Sequence, residues 1–96
     1  MLPACQNFLQ NRRPRLDSDR SLTDILDQGL CAGTLNGLSY LTRYLPPHLS
    51  SCVPEGVTTG QQIRVVLAYV GRRPQRMHEQ FQDLAIEAFH EAWPCK

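Results

Sequence analysis

The chain has no apolar run approaching the roughly 18 residues that a membrane-crossing helix needs, so no membrane association is expected. An excess of one sign of charge is also missing. The net charge is +1, too weak a field to gather nucleic acid or anionic lipid, so neither is expected as a partner. The start, Met1-Leu2-Pro3-Ala4-Cys5, shows no basic segment followed by an apolar one, so no signal peptide is visible. Glycine-rich phosphate loops and metal-type histidine pairs do not occur. Nor does a recognisable set of nucleophile, base and orienting group. His48, His78 and His90 fall on a loop, a helix start and a helix surface, where surface or capping roles outweigh catalysis. The expectation is a chain without catalytic residues, cofactor or metal. Aromatic residues are few, at 7%.

What is present suits one domain over residues 1–96, with 42% hydrophobic content for a modest core. Cys5, Cys31, Cys52 and Cys95 are an even set in a short chain, the arithmetic of a disulfide framework. Zinc prefers closely spaced cysteine pairs, and this chain has none. His48 and Cys52 could share a metal from one helical turn, but no second pair completes a site. Inert buried thiols are the remaining alternative. If disulfides form, the protein is exported, and its signal has been cut away or lies outside this sequence.

Apolar residues recur at helical rather than alternating spacing, which predicts an all-α bundle of about four helices. The first runs from about Leu2 to Gln10, with Leu2, Cys5, Phe8 and Leu9 on one side. Residues 11–20 read as a polar linker that Pro14 keeps from being helical. The second helix opens with the capping box Ser21-Leu22-Thr23-Asp24 and runs to about Tyr44, where Leu45-Pro46-Pro47 stops it. One of its faces carries Leu22, Ile25, Leu26, Tyr40, Leu41 and Tyr44, and Gly29, Gly33 and Gly37 fall on the same side. Each interior glycine costs about 1 kcal/mol relative to alanine, so three at four-residue spacing predict the close approach of another helix. The opposite face carries Cys31, Leu35 and Leu38. A helix apolar on both sides is expected to lie between two neighbours. The first helix, with Cys5 among its apolar residues, is the natural cover for the Cys31 face. Four cysteines allow three pairings; the face argument favours Cys5–Cys31 and leaves Cys52–Cys95.

Thr58-Thr59-Gly60-Gln61 is a second capping box. It opens a third helix with Ile63, Val66, Leu67 and Val70 as its core stripe, ended by Gly71. Arg72-Arg73-Pro74-Gln75-Arg76 makes an exposed basic connector. The fourth helix spans about His78 to Ala92, with Phe81, Leu84, Ala85, Ala88 and Ala92 facing inward and Pro94 ending it. Glu79, Asp83, Glu87 and Glu91 form an acidic stripe at steps of four, either a solvated surface or one that faces cations. Ile86, Phe89 and Trp93 lie to one side of the core stripe and predict a second buried contact, within the domain or across a dimer.

Several of these segments together carry a likeness. Cys52-Val53-Pro54-Glu55-Gly56-Val57-Thr58 is followed by Gln61, an apolar helix, the turn Pro74-Gln75-Arg76-Met77-His78, and the close Ala92-Trp93-Pro94-Cys95. The set resembles the Rap/Tai family of type VI secretion immunity proteins. That pattern reads C-x-P-E-G-V-T, a later Gln, an apolar helix, P-E-x-x-H and A-F-P-C. Gln75 stands where the family has Glu, and Trp93 where it has Phe. Cys31-Ala32-Gly33, Gly37 and Cys5 match earlier positions of the pattern. The resemblance covers about two-thirds of the chain, from Gly29 onward, and residues 6–28 match little beyond being helical.

The resemblance implies a small helical, periplasmic antitoxin that binds and blocks a papain-like peptidoglycan amidase effector, and that is often a homodimer. A periplasmic housekeeping or chaperone-like binder is the alternative, and a small lipid or ligand carrier a third class. The matching residues read as structural: Pro54 and Gly56 shape a loop, Thr58 and Gln61 cap a helix, and His78 ties the connector to a helix end. For the surface that enters an effector cleft, Arg72, Arg73, Gln75 and Arg76 are the candidates. The connector is stiffened by Pro74, and arginine is enriched at binding hot spots. Pairing of these arginines with the acidic stripe, or simple solvation, is the competing reading, and the Pro46–Ser51 loop is the rival plug. Ile86, Phe89 and Trp93 are the candidate dimer contact.

Overall fold

A computed structural model describes residues 2–9 and 19–95. Among the described residues there are four α-helices: α1 (Leu2–Leu9), α2 (Asp19–Leu41), α3 (Thr59–Gly71) and α4 (Phe81–Ala92). Short 3₁₀ turns, Thr42–Tyr44 and Pro74–Arg76, prolong α2 and separate α3 from α4. The fold is all-α, as the periodicity predicts. Of the polar linker expected over residues 11–20, residues 11–18 lie outside the described ones, and Asp19 already belongs to α2. The side chains of the Ser21 capping box also lie outside them.

Local chemistry sets the other boundaries. Thr58 is extended (φ −79°, ψ 160°), and its side-chain oxygen accepts the Gln61 N–H at 3.1 Å, satisfying one of the free amides that open α3. After Gly71 the chain passes through Arg72 and Arg73 to Pro74, which cannot donate and begins a 3₁₀ turn. That turn delays α4. It starts at Phe81 rather than His78, entered through Gln80 at ψ 129°.

Both disulfides close as the face argument favours: Cys5–Cys31 with Cα atoms 5.4 Å apart, and Cys52–Cys95 with 5.0 Å. Eight residues are too few to hold a helix alone, so α1 depends on the first bridge and on burial of Ala4 and Cys5. The core gathers Cys31 and Leu35 from α2, Ile63, Val66 and Val70 from α3, and Leu84, Ala85 and Phe89 from α4, all at 2% exposure or less. Burying a side chain of this size contributes about 1.5–3 kcal/mol. Ala92, expected inside, is exposed.

Among the described residues the expected sandwich around α2 does not form. α1, α3 and α4 all meet α2 on its Cys31–Leu35 side. The slab measures 17 Å through its thinnest dimension, which fits two helix layers 8–10 Å apart and leaves no room for a third. A Cβ built on Gly29, Gly33 or Gly37 would meet nothing within 4 Å. The helix approach predicted from those glycines is therefore absent among the described residues.

Candidate functional site

The segment after α2 is a short, heavily tied loop. The N–H groups of Leu49 and Ser50 both donate to the Pro46 carbonyl, at 2.8 and 2.9 Å. Ser51 is fully buried; its Oγ bonds Thr42 Oγ1 at 2.6 Å and its N–H donates to the Thr42 carbonyl at 3.1 Å. The Cys52 N–H donates to the Trp93 carbonyl at 2.8 Å, beside the Cys52–Cys95 bridge. His90 Nδ1 lies 2.7 Å from the Ser50 carbonyl oxygen. The loop is thus joined to the end of α2 on one side and the end of α4 on the other. Gly56, at φ +89°, then turns the chain toward α3, a conformation that a side chain would strain.

The basic connector folds down onto the acidic stripe of α4. Arg76 holds both carboxylate oxygens of Glu79, through Nε at 2.8 Å and Nη2 at 2.9 Å. Its Nη2 also reaches Glu87 at 2.7 Å, and its Nη1 the Tyr69 hydroxyl at 3.3 Å. Arg73 lies over the Tyr69 ring, 3.9 Å from its centre, and contacts Glu91 at 3.4 Å. Arg72 pairs with the other Glu91 oxygen at 2.8 Å. Three of the four carboxylates at four-residue spacing, which would repel one another alone, are held by these guanidinium groups: Glu79, Glu87 and Glu91. Arg72 keeps 60% of its side chain exposed, Arg73 and Arg76 about half as much, and Gln75 is exposed.

The paired hydrogen bonds from Arg76 hold the Glu79 carboxyl below its ordinary value of 4.5 and raise Arg76 further above its own. A depressed carboxyl contributes stability above its unfolded value and loses that contribution as pH falls through the lower folded one. Glu79 is therefore expected to titrate below 4.5 by carboxyl NMR, and Arg76→Lys to move its midpoint up, since an ammonium cannot hold both oxygens in one plane. A midpoint unmoved by that substitution would contradict the paired geometry.

The loop and the connector are two walls of one groove along α4. Leu49, Arg76, Asp83, Ile86 and Glu87 line one part of it. It continues past His48, Tyr69, His90 and Glu91. Two surfaces that compete as plugs in the sequence are neighbours here. Of the candidate dimer contact, Ile86 lies in this groove, and Trp93 is half-buried with its ring centre 5.8 Å from that of Phe89. Phe89 is wholly inside the chain's own core and has no surface to give a second copy. His78 is exposed, and the connector is tied by Arg76 instead. Tyr69, absent from the expected core stripe, is the pivot of the site. Its position three residues after Val66 was the available signal.

Among the described residues no group of three or more His, Cys, Asp or Glu side chains could hold a metal ion. No curated protein and no solved structure matches the chain. A family model described as Rap1a immunity proteins matches residues 1–95, which include all four bridged cysteines, the Gly56 turn, the connector and α4. The chain therefore belongs to the Rap1a immunity protein family.

Proposed function

We propose that this chain is a periplasmic antitoxin that binds a peptidoglycan amidase delivered by type VI secretion and occludes its active-site cleft, acting as a homodimer. The observation that carries the reading is family membership over residues 1–95. The groove surface gives it a physical basis. A protein that blocks a cleft benefits from a surface ordered before binding, because little conformational freedom is then lost on contact. The connector has that character: Pro74 limits its backbone, and Arg72, Arg73 and Arg76 are held by carboxylates of α4. Arg72 and Gln75 are exposed and offer donors to carboxylates or main-chain carbonyls.

The deciding experiment is co-expression with a candidate type VI peptidoglycan amidase directed to the periplasm. Cells should survive when this chain is exported and lyse when it is kept in the cytoplasm, and the exported chain should capture the amidase in a pull-down. Equal lysis with and without the exported chain would overturn the reading and favour a periplasmic binder without a toxin partner.

A further inference from the structure

Six of the seven large apolar side chains exposed among the described residues belong to α2 and the turn that prolongs it. They are Ile25, Leu26, Leu30, Tyr40, Leu41 and Tyr44, and their exposures run from 40% to 72%. No residue from Gln28 to Thr42 is charged. A surface helix ordinarily turns its charges to solvent and its apolar stripe inward; α2 turns an apolar, uncharged face outward as well.

The size of this face indicates its occupant. With a full accessible area on the order of 200 Å² for each such residue, the six exposures amount to roughly 700 Å². The largest apolar patch on an ordinary monomer is about 300–600 Å², whereas each partner in a standard interface gives about 800 Å². Residues 10–18, outside the described ones, contain Leu16 as their one large apolar residue, against the six of this face.

Its order indicates a second copy. Four of the six, with two of the glycines, are placed symmetrically about Gly33. Gly29 and Gly37 lie four positions to either side, Leu26 and Tyr40 seven, and Ile25 and Leu41 eight. Two α2 helices laid antiparallel and crossing at Gly33 would set Leu26 of each copy against Tyr40 of the other, which is the self-complementarity that a twofold contact requires. Along the row Ile25, Gly29, Gly33, Gly37, Leu41 the centre is a trough and the ends are ridges, so the backbones can approach while the ends interlock. Among the described residues, no atom lies within 4 Å of a Cβ built on these glycines.

We propose that this face of α2 is the contact between two copies of the chain, antiparallel and crossing at Gly33. The inference rests on the homodimer in the function proposed above and gives it a surface. α3 and α4, which carry the connector, lie on the other side of α2.

The test is the mass of the full, oxidised chain at micromolar concentration by light scattering and sedimentation. The wild type should be a dimer. Gly33→Leu, whose Cβ would meet no atom of the described residues within 4 Å, and Leu41→Glu should each weaken it by about tenfold or more, with helical circular dichroism retained. Met77→Asp, at the one large exposed apolar residue off α2, should leave it unchanged. In a mixed-label dimer, isotope-filtered NOEs should join Leu26 methyl groups to the Tyr40 ring of the other copy. A dimer indifferent to both α2 substitutions, or lacking those NOEs, overturns the proposed surface and leaves the homodimer standing. A monomeric wild type overturns both, and does not touch amidase binding, which is read separately by pull-down. A monomer in which Leu41→Glu abolishes amidase capture would assign the face to the effector and likewise overturn the proposal.

Discussion

A chain with serine in place of Arg72, Arg73 and Arg76 is expected to bind its effector about a hundredfold more weakly, a loss of about 3 kcal/mol, while keeping its helical circular dichroism. Hot-spot arginines cost about 2 kcal/mol or more each on truncation, and such losses do not add fully. The fold should survive because the core lies elsewhere, and exposed ion pairs of this kind contribute about 0–1 kcal/mol each. Two single variants separate contact from scaffold. Arg72 is 60% exposed and shares Glu91 with Arg73, so Arg72→Ser removes a projecting group while Glu91 keeps a partner. Arg76, with two carboxylates and the Tyr69 hydroxyl, is chiefly a clamp, and Arg76→Ser should act by loosening the connector. Calorimetry against the purified amidase and protection of cells are the measurements. Undiminished affinity in the triple variant would move the effector contact to the Pro46–Ser51 wall of the groove.

The second large effect is expected from the disulfides. In the chain-entropy description, closing loops of 26 and 43 residues stabilises by about 3.5 and 4 kcal/mol. Domains of this size are stable by only about 5–10 kcal/mol. Replacing Cys52 and Cys95 together, or Cys5 and Cys31 together, by alanine should therefore remove a large part of the total stability in urea unfolding. The two bridges should also differ in how readily they are reduced. Cys5 and Cys31 are 1% and 0% exposed, whereas Cys52 is exposed and Cys95 partly so, and an attacking thiolate needs access. Under mild reductant, alkylation and mass mapping should find Cys52 and Cys95 modified first. Loss of Cys5–Cys31 should follow only with global unfolding, since α1 must leave the core to expose it. Full stability in strong reductant would contradict this account.

How far the sequence foretold these features depends on the range of the interaction. Helix ends were legible because their causes are local: Thr58 caps α3, Pro46 follows the turn that prolongs α2, and Pro94 follows α4. The bridges were legible because Cys31 shares a helix face with Leu35. The sidedness of α2 was not. Apolar residues lie on both its faces, and periodicity alone cannot say that α1, α3 and α4 would all choose the same one. The glycines misled for the same reason, since their spacing signals a close neighbour and is silent on whether that neighbour belongs to the same chain.

The candidate site was legible in its parts and not in its assembly. The connector arginines and the acidic stripe are plain in sequence. That Arg76 would take Glu79 and Glu87, and leave Glu91 to Arg72 and Arg73, depends on the 3₁₀ turn at Pro74 and on Tyr69 beneath it. The convergence of connector and Pro46–Ser51 loop on one groove follows from long-range ties: the Cys52–Cys95 bridge, which the pairing argument supplied, and the Cys52–Trp93 hydrogen bond and His90–Ser50 contact, which local spacing does not encode.

The contact between His90 and the Ser50 carbonyl settles a proton. A carbonyl oxygen can only accept, so the ring nitrogen facing it, Nδ1, must carry hydrogen. In the neutral ring this selects one tautomer and leaves Nε2 with a lone pair. His90 in that tautomer differs from the guanidinium groups of the groove, which only donate, and from its carboxylates, which accept with a negative charge. That tautomer presents an uncharged acceptor at a position held by the backbone of the opposite wall. A bound segment with a neutral donor, such as an amide or hydroxyl, could meet it without bringing a counter-charge into the groove.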